Sequence, residues 1–295
     1  MGRLGDPRGE GYALLGLGAA ALQQGDARGA RARYEAAVAR LRSVGDARGV
    51  GLALTDIGQA ALAAGDLAGA RAALDEAMAA LAAIGDTWIS GFALVYLGDL
   101  ERTAGRPEAA TAAYAAALAP RPGGRDRSQT VLALEGMAGA AAALGHHERA
   151  ATLFGAAEGA REAMALPPLP TRQARIEADR AATRRQLSPR AFAEAAAAGR
   201  TLGLAQAVEL ALRPLGPAPA ERPAPGGEEL TARELEVLRH LAAGLSNQAI
   251  AEALCVSIYT VQAHLRSVYA KLGVGSRAAA ARYAWAHGLA GEGGP

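Results

Sequence analysis

The chain has 295 residues, a formal net charge of +2, 51% hydrophobic but only 4% aromatic residues, and one cysteine. That length suggests about two domains, the mild charge excludes a molecule that binds polyanions over its whole surface, and a single thiol excludes an internal disulfide. Lys271 is the one lysine among 31 basic residues, so neither a phosphate-binding loop ending in Gly-Lys-Ser/Thr nor a receiver domain, which also needs a lysine and alternating strands, can be present.

The first two thirds of the chain keep a beat of 20 residues. Gly25-Asp26, Gly45-Asp46, Gly65-Asp66 and Gly85-Asp86 recur at that step, and Gly105-Arg106 and Gly145-His146 continue it less strictly. Each glycine reads as a helix end and each following residue as a new start. Alignment at twice the step gives a 40-residue repeat: Gly18, Gly58 and Gly98; Gly25, Gly65, Gly105 and Gly145; Ala30, Ala70, Ala110 and Ala150; Tyr34, Leu74, Tyr114 and Phe154. Self-similarity at this period means stacked helical hairpins, in which small residues let two helices approach and one larger side chain fills the gap. Within one repeat, Gly98, Gly105, Ala110, Tyr114, Ala117 and Pro122 resemble the pattern of a tetratricopeptide repeat. The period exceeds the usual 34, so the extra residues must lengthen the helices or their joints. Such a stack implies a concave surface suited to binding.

Beyond the fourth repeat, helices are expected over about 171–186, 189–198 and 205–213, closing the stack. Pro214 to Gly227 then holds five prolines and three glycines among small and polar residues, the composition of a semi-extended linker.

The C-terminal segment reads as a compact four-helix unit. Thr231 stands three residues before Glu234, the spacing of a capping box, and Leu235, Leu238, Leu241 and Ala242 share one helical face before Gly244 stops the helix. Ser246 caps a short helix from about Asn247 to Leu254, with Ile250, Ala251 and Leu254 facing inward. After a tight connection at Cys255-Val256, Ser257 caps a third helix with Val261, Leu265, Val268 and Leu272 on its buried stripe, ending at Gly273. Two helices joined by so short a turn serve most often to lay the second in the DNA major groove. From Ala253 to Gly291 there are four basic residues, Arg266, Lys271, Arg277 and Arg282, and no acidic ones, whereas Glu228, Glu229, Glu234, Glu236 and Glu252 all lie earlier.

The stretch from Leu230-Thr231 through Gly244-Leu245-Ser246-Asn247, Val256-Ser257, Thr260-Val261, His264-Leu265, Lys271-Leu272-Gly273-Val274 and Ser276-Arg277 resembles the LuxR-type (GerE-like) DNA-binding domain from end to end. The resemblance implies an all-α chain: a tetratricopeptide-like α-solenoid over 1–213, the linker over 214–227, and a four-helix LuxR-type helix-turn-helix domain over 228–291. It implies double-stranded DNA as partner, met by Ser246, Asn247, Ser257, Thr260, Gln262, Ala263, His264, Arg266, Lys271 and Arg277. The family usually carries Lys where this chain has Gln262, an amide better suited to adenine or to a phosphate hydrogen bond. It also implies a homodimer on DNA through the fourth helix, with Ala280, Tyr283 and Trp285 at the contact. Segments around 150–158, 167–170, 191–200 and 207–212 resemble the end of the helical array in large ATP-dependent LuxR-type regulators, which leaves open that the chain is a remnant of one.

No enzyme site is expected. Asp56, Asp99 and Glu101 read as surface carboxylates of repeat helices with no nucleophile nearby, His146-His147 as solvent-exposed, and Cys255 as a small buried hydrophobe. No Cys/His set has zinc spacing, so neither metal nor cofactor is expected. Trp88 is core or a ligand anchor. No apolar run could span a bilayer and no leader pattern opens the chain, so the reading is cytoplasmic. The function that follows is a sequence-specific transcriptional regulator with a protein or small-molecule effector on its repeats. The competing reading is a protein-interaction scaffold, sigma-factor-like, in which the helix-turn-helix is not the main DNA reader.

Overall fold

The computed structural model describes residues 6–120, 126–167, 169–216, 230–272, 274 and 276–289. Among these, fifteen α-helices and no strand are found, in two compact units. Most of the expected linker, Pro122 of the repeat pattern, Pro168, Glu228, Glu229 and Gly273 lie outside the described residues.

The first unit opens with four antiparallel hairpins: α1 (Pro7–Gln23) with α2 (Ala27–Ser43), α3 (Ala47–Ala63) with α4 (Leu67–Ala83), α5 (Thr87–Thr103) with α6 (Pro107–Leu118), and α7 (Arg127–Ala143) with α8 (His147–Ala163). Each helix packs on the next, within hairpins and between them. The 20-residue beat has a local cause. Gly25, Gly45, Gly65 and Gly85 all adopt left-handed φ between 66° and 83°, which a glycine enters without Cβ strain. The adjoining Asp26, Asp46, Asp66 and Asp86 then each accept a hydrogen bond from the backbone N–H three residues on, at 2.7–2.9 Å. One dipeptide thus ends a helix and caps the next. Helices of 17 residues plus turns of three make the step of 20, so the long period lies in the helices, not the joints.

The repeat also carries its own inter-hairpin ties. Arg8 donates to Asp46 (2.7 Å), Arg48 to Asp86 (2.9 Å) and the Trp88 indole to Asp126 (3.2 Å), a donor 38 residues before each capping aspartate. Inside the first three hairpins the large side chain of the second helix sits against the glycine of the first: a Cβ on Gly98 would meet the Tyr114 ring at 2.4 Å, and one on Gly18 the Tyr34 ring at 2.3 Å. Tyr34, Leu74, Tyr114 and Phe154 are all fully buried, as the pattern predicts.

Three shorter helices close the unit: α9 (Pro170–Arg185), α10 (Pro189–Arg200) and α11 (Leu204–Leu212). α9 packs on α7, α8 and α1 and brings arginines into the stack. The expectation that Asp99 and Glu101 lie on the surface is corrected here. Asp99 is only 1% exposed, facing Arg172 at 2.9 Å and Arg175 at 2.8 Å and accepting a hydrogen bond from Tyr114 at 2.6 Å. Arg172 reaches on to Glu135, itself paired with Arg161. Burial opposes charge on Asp99, but the two guanidiniums hold its carboxyl below the usual range. Glu101 is largely covered between Arg71 and Arg106. Asp56 is half-buried. His146 and His147 are half-buried as well, because they open a helix packed between α7 and α10. Trp88 is not core: it is 45% exposed, edge-on to Phe92 with Arg48 over its ring.

The second unit comprises α12 (Ala232–Ala242), α13 (Asn247–Ala253), α14 (Ile258–Leu272) and α15 (Arg277–Ala286). Its core is Val237, Leu238, Leu241, Ile250, Ala251, Val261, Leu265, Val268, Leu272, Ala280 and Ala284. No helix among the described residues is long and apolar enough to cross a membrane.

Candidate nucleic-acid interface

Every helix start in the C-terminal unit is built locally. Thr231 and Glu234 form the reciprocal capping box, with Thr231 N donating to Glu234 Oε2 at 2.8 Å and Glu234 N to Thr231 Oγ1 at 3.2 Å. Ser246 caps α13 through the Ala249 N–H (3.2 Å), and Ser276 caps α15 through that of Ala279 (3.2 Å). Ser257 accepts from the Thr260 N–H at 3.1 Å and pairs with its hydroxyl at 2.8 Å. Between α13 and α14 the turn passes through Cys255 at φ 53°, a left-handed position usually left to glycine or asparagine. That conformation turns the side chain outward, so the expectation of a buried cysteine is corrected: Cys255 is exposed.

With Val261, Leu265, Val268 and Leu272 seated in the core, the opposite stripe of α14 is left to solvent. Tyr259, Gln262, Ala263 and Arg266 occupy it at offsets of 0, 3, 4 and 7, all exposed. Thr260 and His264 flank the stripe, half-buried. Arg266 folds its Nε toward the Gln262 carbonyl oxygen at 3.4 Å, leaving the rest of its guanidinium outward. Tyr259, 78% exposed at the start of the helix, is absent from the sequence-derived site. Its place two residues after the Ser257 cap was the available signal.

Two expected contacts are placed differently. Lys271 does not extend from the outer stripe; its ammonium lies 2.7 Å from Glu234 Oε2 with 15% of its side chain exposed. Ser267, one turn earlier, donates to the other Glu234 oxygen at 2.6 Å. Burial alone would raise the Glu234 carboxyl, but the bonds from Lys271, Ser267 and Thr231 overcome it and hold it at about 2. Arg277 likewise turns inward, donating to Asn247 Oδ1 at 3.0 Å and to the Leu245 carbonyl oxygen, so it fastens the start of α15 to the start of α13 and engages Asn247 as well. The cationic surface of the segment therefore rests on Arg266 and Arg282, both exposed.

The expected dimer contact is also redrawn. Ala280 is 0% exposed, a core residue, because Ser276 sets the phase of α15 so that Ala280 and Ala284 face α12. Trp285 is 47% exposed, while Tyr283 stacks on His287 with centroids 4.0 Å apart. Among the described residues no group of three metal-ligating side chains occurs.

Residues 228–284 match the GerE family, bacterial regulatory proteins of the luxR family. The HTH-type transcriptional regulator Mb0914c of Mycobacterium bovis is 39% identical over 145 residues, covering 49% of this chain and 16% of that protein. The nitrate/nitrite response regulator protein NarP of Escherichia coli is 51% identical over 65 residues, 20% of this chain and 30% of NarP. The response regulator protein VraR of Staphylococcus aureus is 45% identical over 62 residues, 21% of this chain and 30% of VraR. The chain thus spans less than a third of the length of these relatives. The Mycobacterium match is longer than the 77 residues from Pro219 to Pro295, so at least 145 − 77 = 68 of its residues lie before Pro219. No solved structure matches. On its capped four-helix geometry and its family match, the C-terminal unit of this chain is a LuxR-family (GerE) helix-turn-helix domain.

Proposed function

We propose that the chain is a sequence-specific DNA-binding transcriptional regulator. Residues 228–291 dock α14 in the major groove and bind as a homodimer to a two-fold site, residues 1–213 receive a protein or small-molecule effector, and 214–227 tether the two. The observation that carries the reading is the outer stripe of α14. Four side chains at helical spacing stand clear of the core, one an aromatic, one an amide and one a guanidinium, the groups that read base edges and phosphates. The names of the relatives above, transcriptional and response regulators, support the same reading. Gln262 and Arg266 are assigned to bases, Ser257 and Thr260 to positioning on phosphate, and Trp285 with Tyr283 to the dimer contact. Lys271, Asn247 and Arg277 serve the geometry of the reading head, since each takes part in a bond that joins two of its helices.

Selection of bound sequences from a random duplex pool by the full chain tests this. A defined half-site should emerge, and Arg266→Ala should then weaken it by about 1–3 kcal/mol with relaxed preference at one position. A uniform loss across sequences would move Arg266 to phosphate. Absence of any salt-dependent duplex binding would end the proposal.

A further inference from the structure

The helical array holds a half-open cavity of about 340 Å³, within the range of small-molecule sites. Side chains from α1, α2, α3, α5 and α7 line it, and Leu166, Pro167, Leu169, Pro170 and Thr171 border it, with Gln59 Nε2 3.4 Å from Thr171 Oγ1 across that border. Its walls are mostly apolar and aromatic: Leu22, Tyr34, Phe92, Tyr96 and Leu132. Into these walls one carboxylate is set. Asp56 on α3 is half-buried by surface, yet what it exposes looks into the cavity, and no hydrogen bond or ion pair to it is found among the described residues. Desolvation by itself pushes the Asp56 carboxyl up to about 7. The other charged group on the wall, Arg161, is already engaged with Glu135 and with the Pro167 carbonyl oxygen.

An apolar cavity with a single uncompensated anion selects its guest by charge. An anionic guest would meet a like charge, and a neutral one would leave the carboxylate unpaired. A protonated amine would pair with the carboxylate while its apolar body displaces water from the aromatic wall. Resting on the reading that the array receives an effector, we propose that this cavity binds a small organic cation, an ammonium on an aromatic or aliphatic body, with Asp56 as its counter-ion and Tyr34, Phe92 and Tyr96 around it.

Calorimetric titration of the full chain with tryptamine, its neutral analogue tryptophol and its anionic analogue indole-3-propionate tests the proposal. Tryptamine should bind saturably and more tightly than either analogue. Asp56→Asn should weaken it about tenfold or more, with tryptophol unaffected, while Asp56→Glu, which keeps the charge, should retain tryptamine binding. Circular dichroism shows that each variant keeps its helices. Equal binding of tryptophol, preference for the anion, no saturable binding of tryptamine, or an indifferent Asp56→Asn variant would each overturn the assignment. Operator affinity is measured alongside: a change with cell extract but no amine binding removes the cation site and leaves the effector reading, whereas amine binding that never alters operator affinity keeps the site and removes that reading.

Discussion

Glu234→Gln isolates the interaction that joins the two ends of the reading head. The glutamine keeps the size of the side chain and an oxygen for the Thr231 N–H, but gives up the charge that Lys271 and Ser267 bond. A carboxyl held at about 2 instead of its ordinary 4.5 is worth at most about 3.5 kcal/mol, each tenfold in proton affinity being about 1.4 kcal/mol. Only 6% of the Glu234 side chain meets water, yet the domain is small and few protein atoms surround the pair, so solvent screens part of this. We expect a net loss of about 2 kcal/mol at neutral pH, as Lys271 and Ser267 lose the charge that they bond. The folded carboxyl titrates below the unfolded one, so the stabilisation is complete above about pH 4.5 and disappears as pH falls toward 2; native and variant should converge there. The chain has two tryptophans, so in a Trp88→Phe background Trp285 alone reports urea unfolding of the C-terminal unit. A stability difference that stays constant from neutral pH down to pH 2 would refute the assignment of the charge. The same geometry predicts that Lys271→Ala lowers stability while leaving the salt dependence of DNA binding unchanged; a slope reduced by about one would make Lys271 a phosphate contact after all.

Three further outcomes follow from the packing. Asp56→Asn should stabilise the array at pH 8 by about 2–4 kcal/mol and leave it unchanged at pH 4, because a carboxyl raised to about 7 costs stability progressively as pH climbs past its unfolded value near 3.8; chemical unfolding at the two pH values reads this directly, and a variant less stable at pH 8 would contradict it. Arg172→Ala strands Asp99 in the interior with Arg175 and Tyr114 and should cost about 3–5 kcal/mol by urea unfolding, whereas a loss below about 1 kcal/mol would mean that Arg175 suffices. Trp285→Ala should shift stability by no more than about 0.5 kcal/mol, as its ring is half exposed, yet weaken dimer formation on a two-fold DNA site in sedimentation measurements; unchanged stoichiometry would remove Trp285 from the contact.

What could be read from the residues in order was everything that short-range chemistry fixes. A Gly-Asp dipeptide carries both the left-handed stop and the cap, so helix ends in the array follow from sequence to within a residue or two. The Thr231–Glu234 box, the Ser246 and Ser257 caps and the apolar stripe of α14 are equally local, which is why the helix-turn-helix was legible, with Gln262, Ala263 and Arg266 though not Tyr259 on its outward side. Folding alone decided the pairings between residues far apart. Glu234 and Lys271 are 37 positions apart and Asp99 and Arg172 73, and neither period nor propensity says that these charges meet or sink together beneath the surface. Tertiary contact therefore tied Lys271 and Arg277 into the domain, moved Asp99 inward, and left Asp56 as a carboxylate facing a cavity, because burial and electrostatic compensation are properties of the assembled neighbourhood, not of any stretch of chain.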